Sequence, residues 1–155
     1  MKILLNKKEL LELEIIHLLL NQPTWTTMKE AAEKLSISES QFSTSYQNIL
    51  QRPISQRLGL TLQRNKGIRI NHKDIRLDSI LFDYISNSLT FKILDNAFQK
   101  QLNIQQFCIE NHISASLFYK HNAFLKDILK KNHLYINIRT MQIMGDEKYA
   151  RAFFI

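Results

Sequence analysis

"ISESQF" at residues 37–42 returns as "ISASLF" at residues 113–118, with four of six positions identical and an offset of 76 residues. Each copy follows a short helix-like stretch and begins a longer one. Before the first copy, Thr27 with Glu30 three residues on makes a capping box, which predicts a helix to about Leu35. Its Ala31-Ala32 pair suits close packing. Ser36-Ile37 reads as a tight turn, and Ser38 with Gln41 opens a second box. The helix it starts is predicted to reach about Leu50, with Phe42, Tyr46 and Ile49 forming one buried stripe. Two short helices joined by so short a turn make a helix-turn-helix.

Working outward, Glu9–Leu20 carries Leu11, Ile15, Leu18 and Leu19 at helical spacing and ends at Asn21-Gln22-Pro23. Thr24–Thr26 reads as a short strand. After the second helix, "GLTLQRNKGIRI" (59–70) gives two strand-like runs, Leu60–Gln63 and Ile68–Ile70, around Arg64-Asn65-Lys66-Gly67. Gly67 suits the positive φ of a tight hairpin. That is the sequence of a wing. Residues 51–73 hold six basic side chains, Arg52, Arg57, Arg64, Lys66, Arg69 and Lys73, and no acidic one.

The second half repeats the plan. Leu89–Gln99 is predicted helical with Phe91, Leu94 and Phe98 on one face. Asn103 with Gln106 is a third capping box, opening a helix to about Glu110. Asn111-His112-Ile113 is the turn, and Ser114 caps a helix to about Lys131. Leu134–Ile138 and Met141–Met144 read as strands around Arg139-Thr140, with both methionines in the core. In both hexapeptides Ile plugs the turn, Ser caps, and Phe is the first buried residue of the longer helix. Between the halves, residues 74–86 read as a helix with Leu77, Ile80, Leu81, Tyr84 and Ile85 as its apolar stripe. Packing of that stripe would hold the two modules at a fixed relation.

The expected fold is mostly α with small β wings: two tandem winged helix-turn-helix domains (1–73 and 89–145) joined by a linker helix (74–88), then the start of a further helical segment (146–155). Composition agrees. Three Gly and two Pro in 155 residues argue against a turn-rich β fold, and 45% hydrophobic residues supply a core. The net charge of +7 favours an anionic partner. One cysteine, Cys108, allows no intramolecular disulfide and reads as a small core residue. No run approaches the ~18 apolar residues of a spanning helix. No signal-peptide pattern is present. The expectation is a cytoplasmic protein with no membrane contact. The five histidines are not clustered at ligand spacing, so no metal and no cofactor is expected, and no catalytic constellation supports an enzyme. His112 is expected to bond a backbone group of its turn.

"NQPTWTTMKEAAEKLSISESQFSTSYQNIL" followed by "GLTLQRNKGIRI" resembles the N-terminal winged helix of the Mga-type virulence regulators of low-GC Gram-positive bacteria. "NIQQFCIENHISASLFYKHNAFLKDILKKNHLYI" with "MQIMGDEKYARAFF" is similar to their second, Mga-specific helix-turn-helix. The most specific features are the Phe107…His112-x-Ser114 spacing and Gly145-Asp146-Glu147 followed by aromatics. The resemblance implies a stand-alone transcription activator binding double-stranded DNA near RNA polymerase. It implies phosphotransferase-regulation and dimerisation domains in regions absent from this chain, and hence either a fragment carrying the DNA-binding half or a naturally short relative.

One departure matters. Relatives carry a basic residue early in the first recognition helix, but Glu39–Gln47 contains none. Its expected contacts are Ser40, Ser43, Thr44 and Gln47, with Arg64, Lys66 and Arg69 on the wing; polar side chains of this kind bond base edges and phosphates. In the second unit the candidates are Ser116, Tyr119, Lys120 and His121, with Asn122 as a further one. A plasmid replication initiator with tandem winged helices is the alternative function. A blander one makes one module a protein-interaction winged helix.

Overall fold

A computed structural model describes residues 2–99 and 102–154, Phe154 by its backbone alone. The chain divides into two compact units, Leu4–Tyr84 and Ile85–Ile155.

In the first unit, Asn6 caps α1 (Lys7–Leu20) through a capping box with Glu9. Thr27 and Ser38 do the same for α2 (Met28–Lys34) and α3 (Glu39–Leu50), with Glu30 and Gln41 as reciprocal partners. A short α4 (Ile54–Leu58) follows, ended by Gly59 in the left-handed region at φ 59°. Strands β1 (Leu60–Gln63) and β2 (Gly67–Ile70) pair antiparallel with Leu62 opposite Ile68. The predicted strand at Thr24–Thr26 shrinks to one bridge, Thr26 to Ile68. Helix α5 (Leu77–Asn87) closes the unit, and the division between the units falls within it. The core collects Ile15, Ile16, Leu19, Phe42, Tyr46, Ile49, Ile54, Leu58, Ile68 and Tyr84.

That core holds an ion pair. Glu12 is only 2% exposed. Its carboxylate accepts from Arg52 Nε at 2.6 Å and from the Tyr84 hydroxyl at 3.0 Å. The Arg52 guanidinium also lies 4.3 Å from the centre of the Tyr84 ring. A buried charge persists only when paired and hydrogen-bonded, and this one has both. Burial, and then the Glu12 charge, push the Tyr84 phenol far above its ordinary range.

The second unit runs α6 (Leu89–Gln99), α7 (Ile104–Glu110), α8 (Ala115–Lys131), β3 (Leu134–Asn137), β4 (Gln142–Gly145) and α9 (Glu147–Phe154). Asn103 caps α7 with Gln106 in reciprocal contact, and Ser114 caps α8. β3 and β4 pair antiparallel with Tyr135 opposite Met144. The core is Ile93, Leu94, Ala97, Phe107, Phe118, Leu125, Ile128, Leu129, Leu134 and Met141, with Cys108 buried at its edge. Asn96 pins the following turn by bonding both the N–H and the carbonyl of Leu102.

Several expected faces are rotated. In α6 the buried side is Thr90, Ile93, Leu94 and Ala97, and Phe98 points outward. Both sets fit a helical period, and the smaller side chains win because they let α8 approach. In α1, Leu11 and Leu18 are half-buried while Glu12 and Ile16 face inward. Leu77 of the predicted linker stripe is exposed. Met144 is 40% exposed, so only Met141 of the two methionines is core. Ile37 and Ile113 are half-buried rather than plugged. His112 bonds no backbone group through its exposed ring among the described residues; its contribution is a left-handed backbone at φ 52°.

Candidate nucleic-acid interface

The 76-residue offset extends well past the hexapeptide. Caps Thr27 and Asn103, helices α2 and α7, left-handed residues Ser36 (φ 55°) and His112 (φ 52°), and caps Ser38 and Ser114 all obey it. The turn chemistry is the same too. Ile37 N–H donates to the Ala32 carbonyl at 3.1 Å, and Ile113 N–H to that of Cys108 at 3.0 Å. Ser36 and His112 N–H groups donate to Glu33 and Ile109 at 3.1 and 3.2 Å. This is a Schellman ending, built twice without the usual glycine. It sets the angle at which α3 and α8 leave their scaffold helices.

On α3 the outward face is Glu39, Ser40, Thr44 and Gln47, with Ser43 half-buried. Glu39 and Arg64 line one open groove of about 470 Å³ with Thr27, Met28 and Asn65. Helix α3 and the tip of the first hairpin therefore share a surface. Of the six cations in residues 51–73, three are engaged by the protein. Arg52 is in the core pair, Arg57 donates to Ser79 Oγ at 2.9 Å, and Lys73 donates to the Gln22 carbonyl. Arg64, Lys66 and Arg69 remain as the exposed wing cations. Lys66 Nζ and Arg69 Cζ stand 5.7 and 6.0 Å from the centre of the Trp25 ring. Trp25 is carried to them by the Thr26–Ile68 bridge, whose N–H···O bonds measure 2.7 and 3.1 Å. Gly67 makes that approach possible: a Cβ there would lie 2.1 Å from the Thr26 carbonyl oxygen.

On α8 the outward face is Ala115, Ser116, Tyr119, Lys120 and Ala123. The Tyr119 ring packs edge-on to buried Phe118 with centroids 5.6 Å apart. His121 turns away from that face. It is half-buried, and its Nδ1 shares a 3.0 Å hydrogen bond with the Thr90 hydroxyl of α6. Burial first, then the Lys120 charge, lower its pKa. Asn122 is buried as well, its Oδ1 unpartnered among the described residues. His121 thus ties α8 to α6, and Asn122 is withdrawn from solvent, while Ser116, Tyr119 and Lys120 share one exposed face. Beside it, an open groove of about 620 Å³ between α7 and α8 is lined by Ile104, Cys108, Ile109, His112, Ala115 and Tyr119. The second hairpin differs from the first. Its tip carries Arg139, whose N–H donates to Asn137 Oδ1, and its outer face shows the apolar cross-strand pair Tyr135 and Met144.

Sequence reading missed Glu39, Trp25 and Arg139. The offset would have flagged Glu39, which pairs with Ala115 across the repeat. Nothing in the sequence signals that Trp25 lies beside the wing cations. Among the described residues no group of three His, Cys, Asp or Glu is placed to hold a metal ion, and no helix is long and apolar enough to cross a membrane.

A family model, the Mga helix-turn-helix domain, matches residues 73–155. No curated protein matches the chain.

Proposed function

Because the chain belongs to the Mga helix-turn-helix domain family, a DNA-binding regulatory family, we propose that it is a sequence-specific duplex-DNA-binding transcription activator that uses both of its helix-turn-helix units. One observation carries this reading. The same cap, turn and recognition-helix geometry recurs at a 76-residue offset, and each copy presents an exposed helix face bearing polar side chains, with a hairpin behind it. In this reading Ser40, Ser43, Thr44 and Gln47 contact DNA from α3, and Arg64, Lys66 and Arg69 grip phosphates from the first wing. Ser116, Tyr119 and Lys120 contact bases from α8. His121 acts only by holding α8 in place. The protein works in the cytoplasm of a Gram-positive bacterium, as a virulence regulator does.

The apolar outer face of the second hairpin favours one addition. Tyr135, Ile138 and Met144 are exposed there beside a single cation at the tip, Arg139. A wing of that composition suits a protein surface better than a phosphate backbone, and RNA polymerase is the partner an activator needs. Footprinting on the DNA upstream of neighbouring promoters tests the main reading. Protection of a discrete site supports it, and uniform coating of all duplexes contradicts it.

A further inference from the structure

The outward face of α8 is polar at Ser116 and Lys120 and otherwise apolar at Ala115, Tyr119 and Ala123. It continues without a break into the groove against α7, where Ile109 is 67% exposed and Tyr119 is 48% exposed. Residues in the first turns of a recognition helix are the ones that reach base edges in the major groove. Apolar side chains there have one base feature to recognise, the C5-methyl group of thymine. The charge around the patch suits a nucleic acid as its occupant. Lys120 stands on the same face, Lys126 is exposed one to two turns on, α8 has no acidic residue before Asp127, and the acidic residue of α7, Glu110, lies at the C-terminal end of that helix. Lys120 supplies attraction and its own base contact, and the apolar wall adds a second source of discrimination.

We infer that the second helix-turn-helix reads thymine methyl groups, with Tyr119 and Ala115 as the specificity-determining residues and Ile109 as the outer wall of the groove. This rests on the DNA-binding function proposed above and adds the chemical feature that is read. The corresponding face of α3, with Glu39, Ser40, Thr44 and Gln47, has no such surface and reads donors and acceptors instead.

The test removes the methyl groups and nothing else. A preferred duplex is selected by the full chain from a random pool. Its affinity is then measured at one salt concentration with thymine and with deoxyuridine in its place. The free energy of transferring one methylene, about 0.8 kcal/mol, corresponds to roughly fourfold per methyl sequestered, so two contacts predict a loss of about tenfold or more. Tyr119→Ser should bind the thymine duplex more weakly and no longer distinguish the two. Ala115→Gln serves as a second variant, judged in the same way, after circular dichroism has shown both to be folded. Equal affinity of the unmodified chain for the two duplexes overturns the inference and leaves DNA binding standing. A deoxyuridine loss that persists in both variants also overturns it, by placing the methyl contacts elsewhere. Failure of the pool to yield any preferred duplex overturns this inference and the proposed function together.

Discussion

Taken position by position, α3 offers Glu39, Ser40, Ser43, Thr44 and Gln47 where α8 offers Ala115, Ser116, Tyr119, Lys120 and Ala123. The frames that carry the two sets are alike down to the hydrogen bonds of the turn. The side chains are not. The first helix has no cation, and its unit places exposed positive charge on a wing steadied by Trp25. The second helix has its own lysine, and its wing is largely apolar on the outside. On the proposed function, one architecture divides grip and reading in two ways. Backbone geometry fixes where a recognition helix points, and side chains alone decide what it does there.

The cores differ as well, and there the largest effect is expected. The first unit buries Glu12 against Arg52 and Tyr84; the polar pair of the second, Thr90 and His121, is neutral. Arg52→Ala leaves the Glu12 carboxylate buried without its counter-charge, at a cost of about 3–5 kcal/mol. Hydrogen exchange should show the loss in amides of residues 4–84, with protection in α8 retained. An equal loss of protection in α8 would show that the two units unfold as one.

Caps come next. Ser38→Ala and Ser114→Ala should each cost about 0.5–2 kcal/mol, read from thermal melting. Gln41→Ala should add a loss in the first unit alone, because only there does a side chain return the cap's hydrogen bond; the residue at the same position of α8 is Leu117. Two unshifted melting temperatures for the serine variants would mean that the caps carry no stability.

The turns offer a stabilising change. A non-glycine residue in the left-handed region is strained by roughly 1–2 kcal/mol, part of which glycine returns as chain entropy. Ser36→Gly and His112→Gly should therefore each raise stability by about 0.5–1 kcal/mol. Opposite signs in the two variants would show that the repeat is geometric in name only.

Much of this was legible in the sequence, because caps and turns are local chemistry. Ser, Thr or Asn followed three residues later by Glu or Gln located α2, α3 and α7, and a serine cap located α8. Gly67 between two short apolar runs located the first wing. What escaped were choices made by packing. Phe98 and Ile93 fit the same helical period, and only the approach of α8 selects Ile93, Thr90 and Ala97 for the inside. Glu12 carries no signal of burial in the sequence, since its partners stand 40 and 72 residues away in Arg52 and Tyr84. His121 read as a base contact because Thr90, which turns it inward, is invisible at that distance in sequence. Helix α4 is five residues long, too short for periodicity to detect.

A smaller, pH-dependent difference follows from His121. Its folded pKa lies below the ordinary value. The unfolded chain therefore binds the proton more readily, and stability present above the unfolded pKa is lost as pH falls through the folded one. Melting of the chain should weaken on acidification below about pH 6.5, the unperturbed histidine value. Lys120→Ala removes one of the two causes and should lessen that dependence, and an unchanged profile would mean that the Lys120 charge does not reach His121.

The division of labour itself is tested most directly by competing a preferred duplex against random duplex over a range of salt concentrations. For Arg64→Ala with Lys66→Ala, the log–log salt slope should flatten by about one to two units, at roughly 0.9 per phosphate contact, and the preference for the site should hold. For Tyr119→Ala with Lys120→Ala, the preference should collapse, by up to roughly 1–3 kcal/mol for a lysine–guanine contact, with much of the affinity for random duplex intact. Ser43→Ala with Thr44→Ala should lower the preference less. A larger loss of preference from the Ser43 and Thr44 pair than from the Tyr119 and Lys120 pair would contradict the account, and would make the first unit the reader.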